Sequence, residues 1–218
     1  LSARLLDAKN LLQNGKIVTR LIAVTGIIAF LAACTDPPKK KEPEKPDPPL
    51  TGRQAFQRTF PMARIWSLDA QPLQMQSYNL GPVKSEGGKA GAWIVTYVSP
   101  SKLKSKQFTW SAIEAEGNLH KGVFAGLEQS WSGPSSQSSP FGVVAIRTDS
   151  DEALKTAMLQ KDTVAFAKKH PEIPVTFLME HSNRFADVVW RVMWGETVGT
   201  SEYTVFVDAS TGKFLEKN

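Results

Sequence analysis

Residues 188–194 read Val-Val-Trp-Arg-Val-Met-Trp. Apolar residues alternate well enough for a half-buried strand, with Trp190, Val192 and Trp194 on one face. Working outward, Gly195 to Glu202 is turn-like, and Tyr203-Thr204-Val205-Phe206-Val207 is a further strand. Asp208-Ala209-Ser210-Thr211-Gly212 makes a turn in which Gly212 is free to take positive φ. Lys213-Phe214-Leu215 adds a short last strand. Upstream, Ala153, Leu154, Ala157 and Met158 recur at helical spacing. Asp149 and Glu152 form a capping-box pair at the helix start. Lys168 and Lys169 suit the C-terminal end of its dipole, and Pro171 stops it. Pro174 then leads an extended stretch from Val175 to Met179.

The preceding part of the chain follows the same plan. Ala55, Phe56, Thr59 and Phe60 correspond to Ala153, Leu154, Ala157 and Met158. Pro72 leads Leu73 to Ser77, as Pro174 leads its own strand. Trp93 to Tyr97 corresponds to Trp190 to Trp194, and Phe108 to Ala112 corresponds to Tyr203 to Val207. Separations between equivalent residues are nearly constant, so the sequence predicts two α+β units, 51–147 and 148–218. Each is a helix packed on an antiparallel sheet. A helix, a proline-led strand, Trp-x-Val-x-Trp and then Tyr-x-Val-x-Val-Asp-Ala-x-Thr-Gly together resemble a PepSY-type domain. The resemblance is clearest from Trp190 to Leu215. It implies an exported α+β module with a binding or inhibitory role, and it supplies no catalytic residues. The chain is also similar to uncharacterised bacterial lipoproteins of its size.

The start of the chain agrees with export. Arg4, Lys9, Lys16 and Arg20 precede an uncharged run from Leu21 to Thr35. A basic segment, a short apolar run and small residues before a cleavage point make an export signal. The run is shorter than the roughly 20 apolar residues of a spanning helix. Leu31-Ala32-Ala33-Cys34 resembles the lipobox of bacterial lipoproteins. That resemblance implies removal of 1–33 and acylation of Cys34, which would hold the protein on a membrane of the cell envelope. Thr35 after the cysteine leans toward the outer membrane in a Gram-negative cell. The chain opens on Leu1, so either the signal is extended or its true start lies inside it. Residues 34–50 carry many prolines, with four Lys balanced by two Asp and two Glu after the cysteine. Such a stretch buries too little to offset its ordering entropy, and its prolines favour an extended spacer.

The full chain has a formal net charge of +5. Four of its basic residues lie before Cys34, so the domain itself is nearly neutral and a nucleic-acid partner is not indicated. Cys34 is the only cysteine, which leaves no thiol for catalysis or a CxxC metal site once it is acylated. His120, His170 and His181 lie far apart, and none has ligand spacing. A Gly-x-Ser-x-Gly elbow and a phosphate loop are both missing. No cofactor or metal and no enzymatic activity are therefore expected, an envelope hydrolase being the weakest reading. The tryptophans are the sharper signal. Trp93, Tyr97, Trp190 and Trp194 read first as core beneath the helices. The alternative is an exposed row that contacts a peptide or sugar. Trp131 begins a Ser/Gly/Pro loop and is a better contact candidate. The expected function is a non-catalytic lipoprotein that binds an envelope protein or peptide, by strand addition to a sheet edge. A pocket for a lipid or saccharide is the alternative.

Overall fold

The computed structural model describes residues 45–218. The predicted signal, Cys34 and most of the spacer lie outside the described residues. The end of the segment read as spacer is bound to the domain. Asp47 N donates to Ala112 O, and Leu50 pairs with Ala90 and is buried.

Among the described residues the elements are, in chain order, α1 (Gly52–Trp66), β1 (Gln71–Tyr78), β2 (Ala92–Ser99), β3 (Lys104–Ser111) and β4 (Gly122–Ser130). A 3-10 turn (Val143–Ala145) follows, then α2 (Ser150–Met158), α3 (Lys161–Lys169), β5 (Val175–Glu180), β6 (Val189–Trp194), β7 (Tyr203–Asp208) and β8 (Phe214–Lys217). This is an α+β fold. Its eight strands form one antiparallel sheet in the order β4-β3-β2-β1-β5-β6-β7-β8. The halves expected as separate units share that sheet, because β1 pairs with β5 through Gln74–Glu180, Met75–Met179 and Gln76–Leu178. Among the described residues no helix is long and apolar enough to cross a membrane.

Both expected helix starts carry capping boxes, Thr51 with Gln54 and Asp149 with Glu152. The two N-termini meet. Gly52 N donates to Ser150 Oγ, and Arg53 N donates to Asp149 Oδ1, so side chains at the start of α2 satisfy orphan amides of α1. A β-carbon on Gly52 would lie 2.6 Å from the Trp190 ring, which explains the glycine at this crossing. Beneath the junction Trp93 and Trp190 pack edge to face with centroids 6.2 Å apart. Trp93 Nε1 donates to Leu50 O and Trp190 Nε1 to Thr148 O, each at 2.9 Å. Every buried indole nitrogen of this pair thus keeps the partner it would have had in water.

One expectation needs correction. The helix predicted from Ser150 to Lys169 is two helices broken at Leu159 and Gln160. Continuing the Ala153–Ala157 face would have carried Gln160 and Lys161 into the core. The break resets the phase, so that Phe166 stacks on Tyr203 at 4.8 Å and Thr163 Oγ1 meets Tyr203 OH at 3.2 Å. Residues 122–130, to which the sequence patterns assign no element, form the nine-residue strand β4.

Candidate functional site

Trp93, Tyr97 and Trp190 are fully buried, and Trp194 is 2% exposed. They lie with Val95, Phe108, Trp110, Val192, Val205 and Val207 in the core under the helices. No exposed aromatic row forms from them, because their alternation points every one to the helix-covered face. Burial also pushes the Tyr97 hydroxyl's pKa above its ordinary value, although its contact with Thr59 Oγ1 opposes the shift. Trp131 is different. It is half-buried at the end of β4, where its N–H donates to Leu103 O and extends the β3–β4 ladder.

The three histidines remain apart. His120 Nδ1 meets Glu114 Oε1 at 2.5 Å on the surface, and its ring lies 4.3 Å from Phe124. The Lys121 N–H and His120 hold the Glu114 carboxyl below its usual range. His170 sits beside Phe166 and Glu172. His181 O accepts from Ser139 N. Among the described residues no hydroxyl is hydrogen-bonded to a histidine ring, and no group of three metal-ligating side chains comes together.

The feature that stands open is an edge of the sheet. A sheet edge presents unpaired N–H and C=O groups that can template a further strand. The two edges here differ. β8 has four residues, two of them Glu216 and Lys217, with a register shift against β7. Short length and charge blunt it. β4 has nine residues and, among the described residues, pairs on one side only, with β3. Its sequence contains no proline and no lysine, and Leu127 is 88% exposed. One shift between Lys106 and Phe108 opposes the extra residues Gly126 and Leu127 to Gln107 and divides the edge in two.

Helix α1 packs chiefly on β3 and β2 and reaches this edge with one flank. Its buried stripe is Gly52, Ala55, Phe56, Thr59 and Ala63. Helical spacing places Arg58, Met62, Ile65 and Trp66 on the flank toward β4. The contacts agree: Arg58 lies over the Trp110 ring at 5.8 Å, and Trp66 Nε1 donates to Glu128. Val123 pairs with Trp110 and Ala125 with Phe108, so both share the helix-side face. The exposed flank of α1 and the outer side of β4 therefore border one strip of surface, a channel open on its outer side.

The end of the channel is held firmly. Asp69 accepts from Ser67 Oγ, Ser99 Oγ and Ser101 N, and so ties the end of α1 to the β2–β3 turn. These donors, led by the two hydroxyls, hold its carboxyl well below the usual range. A depressed carboxylate stabilises the fold above its unfolded pKa of about 3.9 and loses that contribution as pH falls. Asp69→Asn is therefore expected to lower the urea midpoint at pH 7 more than at low pH. Equal losses at both would show that the charge is not used.

No family model matches the chain, and no curated protein does. A crystal structure of a candidate lipoprotein from Clostridium difficile 630 aligns at a TM-score of 0.43 and 10% identity, over 82% of this chain and 95% of that one.

Proposed function

We propose that this protein is a non-catalytic lipoprotein of the cell envelope, acylated at Cys34, that binds an extended segment of an envelope protein by strand addition to β4. The carrying observation is the contrast between the long open β4 edge and the short charged β8 edge. Main-chain hydrogen bonds would supply affinity and alternate side chains the selectivity. The matched capping boxes and the two tryptophan–carbonyl bonds favour an ancestral duplication of a PepSY-like unit. So does the order of the strands, which leads outward from β1 and β5 in the same way on both sides. If the cell has an outer membrane, Thr35 favours that membrane as the anchor's destination.

The test places a lysine on each edge. Leu127→Lys guards β4, and Leu215→Lys is the β8 control; both parent side chains are exposed. Partner capture from envelope extract should fall by about tenfold or more for Leu127→Lys and stay level for Leu215→Lys. Equal capture by both variants, or none by the parent protein, would overturn the reading.

A second reading, a small-ligand site for a lipid or saccharide, draws on one cleft of about 390 Å³ between the β1–β2 and α3–β5 connections. It is lined by Asn79, Ser85, Lys89, Leu154, Ile173 and Phe177, among others. Asn79 Oδ1 and Ser85 Oγ are buried there without a hydrogen-bond partner, which native folds seldom leave unexplained. Titration with octanoate and with N-acetylglucosamine should shift the amides of 79–89 for one of them. Silence from both would remove this reading.

A further inference from the structure

We infer that the channel between α1 and β4 selects an acidic extended segment with apolar side chains at every second position. This rests on the reading of β4 as a strand-accepting edge and names what that edge accepts.

A strand laid along β4 points alternate side chains to opposite faces of the sheet. The row on the helix side would come to lie between Val123 and Ala125 beneath it and the α1 flank above. Met62 is 43% exposed, Ile65 79% and Val123 38%, whereas the core residues beside them are sealed. These three side chains sit on two elements that face one channel, so a single row of apolar residues can cover them together. Helical residues of this size gain by burial against such a row. The opposite row would meet half-buried Phe124 near His120 and then exposed Gln129, a surface that accepts polar residues.

The charges around the channel have one sign in excess. Arg58 lies over Trp110, and Lys106 lies over Phe108 at 5.8 Å. Lys104 and Lys106 share the helix-side face, since they pair with Ser130 and Glu128. Two carboxylates stand among them and both are engaged: Glu128 accepts from Trp66 Nε1, and Asp69 at the rim accepts from Ser67, Ser99 and Ser101. A basic segment would meet repulsion here, and an acidic one attraction. The rim is preorganised by the Asp69 bonds and by Lys102 Nζ donating to Trp66 O, so little ordering remains for the protein side.

Three blocked synthetic peptides of β4's own length test this. The first alternates valine and aspartate. The second has the same composition with the valines in one block. The third alternates valine and lysine. Backbone amide shifts of the isotope-labelled protein report where each binds. The first peptide should move amides of 122–130 and 58–66, and bind about tenfold or more tightly than the other two. Ile65→Asp, at an exposed position, should remove that preference while leaving the thermal midpoint unchanged. Three peptides that move the β4 amides with equal affinity would overturn the selectivity and leave strand addition standing. Peptides that move no β4 amide would overturn both. Shifts that remain after Ile65→Asp with the preference intact would locate selection elsewhere and defeat the channel.

Discussion

Replacing Trp190 with alanine is expected to destabilise the domain by about 3–5 kcal/mol, the range for truncating a buried aromatic. The side chain is fully buried and sits where the two halves join. It packs edge to face on Trp93 and on Phe177, with centroids 6.2 and 6.3 Å away. Its indole N–H satisfies Thr148 O, directly before the cap of α2. Removing the ring opens a cavity under both helix N-termini and orphans that carbonyl. A loss of this size is a large share of a typical total stability of about 5–15 kcal/mol. Urea unfolding at neutral pH measures it. Trp93→Ala should cost about as much, and the double variant less than the two losses added, because the rings share one contact. A cost below about 1 kcal/mol, the size of an ordinary surface change, would contradict the central role assigned to this contact.

That contact also shows how far the sequence could be read. The alternation of Trp190, Val192 and Trp194 and of Trp93, Val95 and Tyr97 identifies strands, and the same alternation buries all six. The capping pair at Asp149 marks the start of α2, whereas the equivalent pair at Thr51 emerges only in the structure. What alternation cannot convey is neighbourhood. Nothing in Gln74 or Gln76 announces that they face Glu180 and Leu178, so the fusion of two sheets into one is invisible until β1 meets β5. The break at Leu159 carries no proline or glycine; its only trace is the shift of apolar phase between Ala157 and Phe166.

The candidate site was harder to read for the opposite reason. An open edge strand needs no strong pattern. Gly122-Val-Phe-Ala-Gly-Leu-Glu-Gln-Ser130 has Gly126 at its bulge and largely exposed residues thereafter. A strand that packs on one neighbour and a helix flank is under weaker compositional constraint than one packed on both faces. The signal present is Val123-Phe124-Ala125 after Gly122, whose φ of 83° marks the entry into β4. The tryptophans carry the stronger but ambiguous pattern, because large aromatics serve both cores and binding surfaces. Only the side of the sheet to which they point separates the two roles.

Replacing Cys34 with serine is expected to abolish acylation entirely. Among the described residues the chain begins at Lys45, whose carbonyl accepts from Lys121 Nζ. Each buried methylene contributes roughly 0.8 kcal/mol, and a single chain holds only marginally. The two or three chains of a lipoprotein therefore change the outcome from transient contact to stable residence. Labelled palmitate should enter the parent protein and not Cys34→Ser, and an alkaline carbonate wash should release the variant alone. The apolar run before Cys34 is too short to replace the chains with a comfortable span. Label in the serine variant, or resistance to the wash equal to that of the parent, would place the anchor in the polypeptide. The β4 edge would then be presented by a membrane segment rather than by lipid.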